Sequence, residues 1–342
     1  MGIPVVDFGA FSLSEEDAAD EQMHNLSKEL ESAFTEVGFV FLKNTGITQQ
    51  EVDRVLTISK TFFLQPEEEK RPFSRKSFAI SPSHGWVHLE SERLNPRRPG
   101  DLKESFNVTS LHPGIKWPSG AVKGFQEIQT SFFQRCKELS LRVLRVMALS
   151  LGLDPEVFLS AHRFIGTEGN GTTLRPLYYP AVNHEKLKEG QLRCGEHSDY
   201  GSITLLFCSS GGLQVTLPRI TNRDVCFDIC CCERNLQACN PPDGLVNLQV
   251  RRRSGEFICV PSVPGAVLIN VADLMQRWTS DHFVSVVHRV LLPPAGDSST
   301  RQSLVFFVQP DDEALISCCD GSNKYPPVTG GGYLDERFKA SY

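Results

Sequence analysis

The spacing of apolar residues divides the chain into a mixed first third and a β-rich remainder. Apolar positions recur at helical spacing over residues 17–37 and 124–151, which predicts two long amphipathic helices. Each pattern stops at a glycine, Gly38 or Gly152, as is common where a helix ends in the left-handed conformation. Residues 74–118 show no sustained period and are predicted to be loops with short extended pieces. Further predicted elements are strands at 5–8 and 39–42, a second helix bearing Val52, Val55, Leu56, Phe62 and Phe63, and a helix capped by Asp154 with Pro155 at its first position.

From about residue 174 onward, short β-prone runs are separated by clusters of Gly, Pro, Asn and Asp. Many short strands with turn signals between them favour an antiparallel double-sheet roll. We therefore predict a mainly β fold with flanking α-helices: a jelly-roll or cupin-like core preceded by an N-terminal α/β region. The open end between the two sheets of such a roll is the expected place for a site.

A candidate metal site is formed by His197 and Asp199 together with His288. Two residues apart on an extended segment, His197 and Asp199 are predicted to point to the same face, because strand side chains alternate. His288 lies far downstream in an apolar run, residues 283–291, that is predicted to be another strand. Two imidazoles and one carboxylate on one face, with the other positions open, are typical of non-haem Fe(II) oxygenases.

A candidate anion site follows His288 in the sequence. Arg301 and Ser303 stand two apart at the start of a β-prone run, so their side chains are predicted to share one face. A guanidinium offers a planar pair of donors, which together with a hydroxyl suits a carboxylate. Alone, Arg301 would be interpreted as a solvated charge at a strand edge; beside a metal site it is interpreted as an anchor.

Composition fits an enzyme that acts on a small molecule. A chain of 342 residues with 40% hydrophobic and 22% charged residues can bury a large core. The net charge of −6 does not indicate the basic surface that nucleic-acid binding requires. The sequence contains no apolar run of membrane-spanning length. Eleven cysteines without a secretory leader are interpreted as reduced thiols. We therefore expect a cytoplasmic monomer with no nucleic-acid or membrane partner.

Ordered motifs along nearly the whole chain resemble the isopenicillin N synthase-like branch of the Fe(II)/2-oxoglutarate-dependent dioxygenases. The motifs that carry the resemblance lie at 3–8, 38–44, 62–70, 100–106, 177–180, 197–199, 211–215, 263–265, 270–273, 277–281 and 301–303. The resemblance implies a double-stranded β-helix core braced by helices. It also implies a division into an N-terminal non-haem dioxygenase region (1–120), bracing helices (121–170), the β-helix core (171–315) and a C-terminal tail (316–342).

The same resemblance implies a set of cofactors and their ligands. His197, Asp199 and His288 are expected to bind Fe(II), and Arg301 and Ser303 to hold the distal carboxylate of the co-substrate 2-oxoglutarate. Tyr179 matches a family tyrosine near the co-substrate, although Leu177 stands where the family usually has asparagine. O2 is the further co-substrate, and ascorbate is a candidate reductant.

One segment departs from the family pattern. Residues 216–250 separate two motifs that are normally close, and the tripeptide Leu-Gln-Val occurs at 213–215 and again at 248–250. Five cysteines fall in this segment, but they lack the two Cys-x-x-Cys pairs of a zinc site. We predict a surface-loop insertion, or translated sequence from an unspliced segment, within the β-helix core.

Three function classes follow. The leading hypothesis is a dioxygenase that couples oxidative decarboxylation of 2-oxoglutarate to hydroxylation or another oxidation of a small organic substrate. The second is a 2-oxoglutarate-independent Fe(II) oxidase of the isopenicillin N synthase or aminocyclopropanecarboxylate oxidase type, which the Arg-x-Ser motif does not exclude. The third is a catalytically degenerate binding protein, which the complete His-Asp-His set disfavours.

Overall fold

A computed structural model describes residues 2–16, 18–77, 81–109, 111–208, 244–252 and 254–341. The α-helices are α1 (Asp20–Glu36), α2 (Gln49–Phe63), α3 (Glu67–Lys70), α4 (Phe125–Ser150), α5 (Glu156–Leu159), α6 (Asp273–Trp278) and α7 (Gly330–Ser341). The strands are β1 (Val5–Asp7), β2 (Phe39–Lys43), β3 (Gly85–Val87), β4 (Glu104–Asn107), β5 (Thr173–Tyr179), β6 (Cys194–His197), β7 (Ile203–Phe207), β8 (Gly244–Arg251), β9 (Phe257–Pro261), β10 (Val267–Val271), β11 (His288–Val290), β12 (Arg301–Val308), β13 (Leu315–Ile316) and β14 (Val328–Thr329).

Two sheets form the core of the described chain. The major sheet has eight strands in the order β1-β2-β10-β7-β12-β5-β4-β3, and only its β1–β2 pair is parallel. The minor sheet has four antiparallel strands in the order β6-β11-β8-β9. Apolar residues of both sheets form one buried cluster, to which β5 contributes Leu177, β8 Val250 and β12 Val305. This arrangement is the jelly roll that the strand-and-turn pattern predicted, so the predicted fold class is confirmed.

Helices cover the other face of the major sheet. The apolar stripe of α4 is buried at Phe132, Leu139 and Val143, where it joins a core cluster with α1, α2 and the sheet. The helix α2 begins with a capping box in which Thr48 Oγ1 accepts from the Glu51 amide at 3.2 Å. The helices α2 and α4 pack against β5, β7 and β12, and β5 and β12 carry three of the candidate site residues.

Most long elements predicted from the sequence are present, with shifted ends. The helix predicted for residues 17–37 is α1, and Gly38 follows it with φ +75°. A side chain at Gly38 would place its Cβ 2.3 Å from the Val284 carbonyl oxygen, so glycine is required there. The strand predicted over 283–291 is too long, because only His288–Val290 pair in the sheet. The next helix was predicted one residue too early: α5 is a single turn that begins at Glu156, with Pro155 as its N-cap, although Asp154 Oδ1 does accept from the Glu156 amide at 2.9 Å.

The predicted insertion at 216–250 requires a correction at its downstream end. Residues 244–250 belong to β8, in which Leu248 and Val250 pair with Val290 and His288 of β11. The second Leu-Gln-Val is therefore part of the minor sheet and not part of a surface loop. The remainder of the predicted insertion, residues 216–243, lies outside the described residues, as do all five of its cysteines.

The predicted division of the chain into segments stays a prediction. The major sheet contains strands from both sides of the predicted boundary at residue 120. Strands β1 to β4 of the N-terminal region hydrogen-bond into the same sheet as β5, β7, β10 and β12. The segment predicted as a C-terminal tail contains β14 and the twelve-residue helix α7. Within the described ranges, no helix combines the length and the apolar character that crossing a membrane requires.

Candidate active site

The three candidate metal ligands meet at one end of the minor sheet. His197 is the last residue of β6 and His288 the first of β11, and the two are directly paired across the strands. Their Nε2 atoms lie 3.7 and 3.8 Å from Asp199 Oδ1. All three side chains are largely buried, and their donor atoms lie within 4.8 Å of one another. Asp199 follows the end of β6, so His197 and Asp199 do not share a strand as the sequence predicted.

Hydrogen bonds orient each candidate ligand toward the space between the three side chains. His197 Nδ1 lies 2.8 Å from the Gly195 carbonyl oxygen, and His288 Nδ1 lies 3.1 Å from that of Val286. Because a carbonyl only accepts, each Nδ1 carries the proton and each Nε2 presents a lone pair. Asn270 Nδ2 donates to Asp199 Oδ2 at 2.8 Å, which leaves Oδ1 facing the imidazoles.

The protonation states of this cluster suit a metal ion. Burial alone would raise the pKa of Asp199, but the neighbouring His288 and His197, together with hydrogen bonds from Asn270 and Thr204, lower it overall. Burial, together with the neighbouring His197, lowers the pKa of His288. The cluster therefore holds an ionised carboxylate and a neutral imidazole at neutral pH, as metal coordination requires.

The candidate anion site lies where β12 pairs with β5. Arg301 is opposite Tyr179 and Ser303 is opposite Leu177, so the three predicted residues are brought together. The Arg301 guanidinium lies 4.8 Å from the centre of the Tyr179 ring, and its Nη1 lies 3.5 Å from Ser303 Oγ. Tyr179 is hydrogen-bonded to Ser303, and its burial raises its pKa. Leu177 is buried in the cluster between the sheets, so the position that is usually asparagine serves packing here.

A further arginine, which is buried, adds positive charge to this site and was not predicted from the sequence. Arg193 is 1% exposed, and its guanidinium lies 5.9 Å from the centre of the Tyr179 ring. Burial and the nearby Arg301 lower the pKa of Arg193 to about 10. Neither guanidinium forms a salt bridge within the described part of the chain, and buried Arg301 Nη2 and Arg193 Nε have no hydrogen-bond partner there. Unpaired buried cations and donors of this kind are costly unless an anion occupies the space beside them.

A pocket leads to the His-Asp-His cluster. His197 and Asp199 line it together with three aromatic residues, Tyr200, Phe307 and Phe338. Its polar wall includes Arg175 and Glu92, whose side chains are ion-paired at 3.1 Å. These wall residues come from distant parts of the chain, and their role could not be inferred from spacing.

The helix α7 forms one side of this pocket. Phe338 lines it, and Arg337 Nη2 lies 2.5 Å from Asp273 Oδ2. The same Asp273 oxygen accepts from Ser198 Oγ at 2.9 Å, and the Asp273 amide donates to the Asp199 carbonyl at 2.8 Å. The segment predicted as a tail therefore reaches the residues beside the candidate ligand Asp199.

Glu196, adjacent to His197, is a largely buried acid that is paired with two arginines. Its side chain is 16% exposed and bonds to Arg98 and Arg289. Burial raises its pKa, but hydrogen bonds, with that from Arg98 the largest, lower it to about 2. Glu196 is therefore ionised and already paired, and it does not line the pocket beside His197.

Comparison with known families and proteins agrees with this site. Residues 3–127 match the family model described as "non-haem dioxygenase in morphine synthesis N-terminal". Residues 237–310 match the "2OG-Fe(II) oxygenase superfamily", a range that includes His288, Arg301 and Ser303 and also β8. The family match thus supports the assignment of residues 244–250 to the core.

Similar proteins cover nearly the full length of the chain. The "UPF0676 protein C1494.01" of Schizosaccharomyces pombe is 29% identical over 331 residues, which are 95% of this chain and 91% of that protein. The "2-oxoglutarate-Fe(II) type oxidoreductase ppzD" of Metarhizium rileyi is 27% identical over 99% of this chain and 91% of its own length. The crystal structure of a full-length Neurospora crassa protein in complex with alpha-KG matches with a TM-score of 0.76 and 29% identity, covering 98% of this chain and 96% of that one. Together with the two sheets and the His-Asp-His cluster, these matches show that the chain belongs to the Fe(II)/2-oxoglutarate-dependent oxygenase superfamily and is an oxidoreductase.

Proposed function

We propose that His197, Asp199 and His288 hold one Fe(II), and that Arg301, Ser303 and Tyr179 hold 2-oxoglutarate. The enzyme then couples oxidative decarboxylation of 2-oxoglutarate to hydroxylation or another oxidation of a small organic substrate. The observation that carries this proposal is the convergence of two imidazole Nε2 atoms on one carboxylate oxygen at 3.7 and 3.8 Å. Three ligands on one side leave the other coordination positions open, as an oxygen-activating iron requires.

The donor set fits Fe(II). The Nε2 atoms of the two imidazoles and the ionised carboxylate of Asp199 face the space between the three side chains, an arrangement that a divalent cation stabilises. The protein orients these ligands through the carbonyls of Gly195 and Val286 and through Asn270. When bound, the iron supplies the redox chemistry with O2, and the protein positions the reactants and shields them from water.

The anion site fits a dicarboxylate. The buried Nη2 of Arg301 lacks a partner among the described residues and is available for a charge-assisted hydrogen bond. Ser303 Oγ and the Tyr179 hydroxyl add donors beside it, and the buried Arg193 adds a second positive charge. These groups bind the distal carboxylate, so the keto acid end of the co-substrate is directed toward the metal.

The prime substrate enters the pocket lined by Tyr200, Phe307 and Phe338. The aromatic walls favour an apolar or planar molecule, and the Arg175–Glu92 pair offers polar contacts without net charge. The similar Neurospora crassa protein was also crystallised in complex with alpha-KG and thymine. We therefore propose thymine as the first compound in a panel of small neutral substrates.

We further propose that the enzyme is a cytoplasmic monomer. The cysteines within the described ranges, Cys136, Cys194, Cys208, Cys259, Cys318 and Cys319, are free thiols, which suits a reducing compartment that keeps iron as Fe(II). Sedimentation equilibrium tests the monomer, and imaging of the tagged protein in its own cell tests the compartment.

Calorimetric titration of Mn(II)-loaded protein tests the co-substrate assignment without turnover. We expect 2-oxoglutarate to bind, pyruvate to bind much more weakly because it lacks the distal carboxylate, and glutarate to bind weakly because it lacks the keto group. Equal affinity for pyruvate and 2-oxoglutarate would contradict the role of Arg301 and Ser303. Such a result would favour the 2-oxoglutarate-independent oxidase.

A further inference from the structure

The two strands that carry the histidines are joined through a β-bulge. His288 pairs with His197, but the next pair is Val290 with Cys194, so one residue of β11 faces two residues of β6. Arg289 is the single residue, and Gly195 and Glu196 are the two opposite it. A bulge breaks the regular hydrogen-bond ladder and re-aims the neighbouring side chain. The separation of the two imidazoles therefore depends on what holds this bulge in place.

The backbone of the bulge is held from one side by Gly195. Its amide donates to Asp101 Oδ1 at 2.9 Å, and its carbonyl accepts from His197 Nδ1 at 2.8 Å. A Cβ at Gly195 would lie 2.9 Å from Asn95 Cβ, so the N-terminal region packs directly onto the bulge. The carbonyl that orients His197 is thus itself part of the bulge.

Side chains bridge the bulge in place of the missing ladder bonds. Glu196 Oε1 accepts from Arg289 Nη1 at 3.0 Å and from Arg98 Nη2 at 2.7 Å, while Oε2 accepts from Arg98 Nε at 2.5 Å. Asn95 Nδ2 also donates to Oε2 at 3.1 Å. The Glu196 carboxylate is therefore fixed by three side chains.

Arg289 extends this bridge across the minor sheet. Its Nε donates to Gln249 Oε1 on β8 at 3.0 Å, and its guanidinium stacks 3.9 Å from the centre of the Phe257 ring on β9. One chain of contacts, Glu196–Arg289–Gln249 with Phe257, thus links all four strands of the minor sheet beside the two histidines.

We propose that Glu196 and Arg289 are positioning residues that fix the bulge, and with it the spacing of His197 and His288 for one metal ion. They act through the strands, because each is the chain neighbour of a candidate ligand and neither lines the pocket. This inference rests on the proposed function of His197, Asp199 and His288 as metal ligands. On this proposal, the affinity for the metal depends in part on Glu196 and Arg289, which do not bind the metal themselves.

Titration of metal-free protein with Mn(II) tests this inference. We expect Glu196→Gln to raise the Kd for Mn(II) about tenfold, the size of effect typical of residues that orient metal ligands. At saturating metal, we expect the Michaelis constant for 2-oxoglutarate to change less than about twofold, because the anion site lies on the major sheet. The matched control is Glu51→Gln on α2, which also removes a partly exposed glutamate paired with an arginine, Arg135. It should lower the unfolding temperature without changing the Kd for Mn(II).

A double-mutant cycle separates positioning from general loss of stability. Arg289→Gln should weaken Mn(II) binding by a similar factor, and the double variant Glu196→Gln/Arg289→Gln should bind no more weakly than either single variant. Unchanged Mn(II) affinity in both single variants, or fully additive losses in the double variant, would overturn the inference and leave the proposed function intact. If Asp199→Ala left Mn(II) binding unchanged, the proposed function itself would be overturned.

Discussion

The donor atoms of three largely buried residues, His197, Asp199 and His288, lie within 4.8 Å of one another, where a cation would stabilise them. Two Nε2 lone pairs and a carboxylate oxygen, separated by 3.7 and 3.8 Å, repel one another and are poorly hydrated. The sequence predicted that His197, Asp199 and His288 come together because metal sites of this type use few residue kinds at restricted spacing, and the structure brings the three side chains together. Asn270 lies in one of the family motifs, but its hydrogen bond to Asp199 was not predicted, because spacing along the chain does not show which side chains an amide contacts.

Asp199→Ala should abolish turnover and strongly weaken metal binding while leaving the apo fold intact. The change removes the only anionic ligand of the cluster, and it also removes a charge that burial destabilises in the metal-free protein. Thermal unfolding with and without Mn(II) measures the effect. We expect the metal-induced rise in melting temperature to disappear in the variant. A variant that retains full iron stoichiometry would contradict the assignment.

Arg301→Ala should raise the Michaelis constant for 2-oxoglutarate far more than it lowers metal content. Loss of one partner from a desolvated, charge-assisted pair costs on the order of 2–5 kcal/mol, which corresponds to about 30-fold or more. Ser303→Ala removes a neutral donor and should have a smaller effect. Steady-state rates at varied 2-oxoglutarate provide the measurement. An unchanged 2-oxoglutarate dependence in Arg301→Ala would contradict the proposed anion site.

His162 should make the stability of the protein depend on pH between 6.5 and about 4. The ring is fully buried, with Nδ1 2.7 Å from the Phe158 carbonyl and Nε2 2.8 Å from Ser202 Oγ, and burial lowers its pKa from 6.5 to about 4. Because the unfolded state binds the proton more readily, the contribution is complete above about pH 6.5 and is lost as the pH falls toward about 4. The loss is on the order of 3 kcal/mol.

Urea unfolding at neutral pH and at a pH near the lowered pKa of His162 measures this dependence. His162→Gln keeps an amide donor and acceptor but has no titratable group, so its free energy of unfolding should fall less between the two pH values than that of the wild type. His24→Gln, at an exposed position of α1, is the control and should behave like the wild type. Equal pH dependence of all three proteins would show that His162 does not carry the effect.

At the scale of elements, long periodic segments were predictable and short ones were not. The helix α4 has an apolar stripe along its 26 residues, and its predicted ends at 124 and 151 each lie one residue beyond the observed ends. In contrast, the run 283–291 is uniformly β-prone, yet β11 has only 3 residues, because strand pairing depends on neighbours that are distant in sequence. The N-terminal strands β3 and β4 were predicted only as loop pieces for the same reason.

The strand β8 shows a different limit of sequence reasoning. The tripeptide Leu-Gln-Val occurs twice, and either copy precedes a plausible turn and strand. Local sequence cannot distinguish two identical tripeptides; the structure places the second, Leu248–Val250, opposite His288–Val290. The predicted boundary at residue 250 is therefore wrong, because residues 244–250 belong to β8.

A deletion of residues 216–250, which joins Val215 to Arg251, should still fold and decarboxylate 2-oxoglutarate. The deletion removes the second Leu-Gln-Val but leaves the first directly before Arg251, where it can take the same register against β11 and β9. Circular dichroism and succinate formation measure the outcome.

The control deletion removes residues 213–250 and thus both copies of the tripeptide. It should unfold or lose metal binding, because β11 then lacks its partner beside His288. If the shorter deletion unfolds as well, the segment contributes more to the core than β8 alone, and this account of the repeat is wrong.

At the scale of the whole molecule, the site is assembled from parts that meet only in the folded chain. The minor sheet supplies the histidines, the major sheet supplies Arg301 and Ser303, and α7 supplies Phe338 at the pocket wall. The family was predictable because its motifs are short and ordered, and so was the clustering of His197, Asp199 and His288. The pocket walls were not, because Glu92, Arg175 and Phe338 come together only through tertiary packing.

Formation of succinate from 2-oxoglutarate by Fe(II)-loaded protein under air tests the central claim most directly. We predict that wild-type protein produces succinate and CO2 in equal amounts, that a true substrate accelerates both, and that Asp199→Ala produces neither above background. Oxygen consumption without succinate, or wild-type succinate formation by Asp199→Ala, would contradict the proposed enzyme.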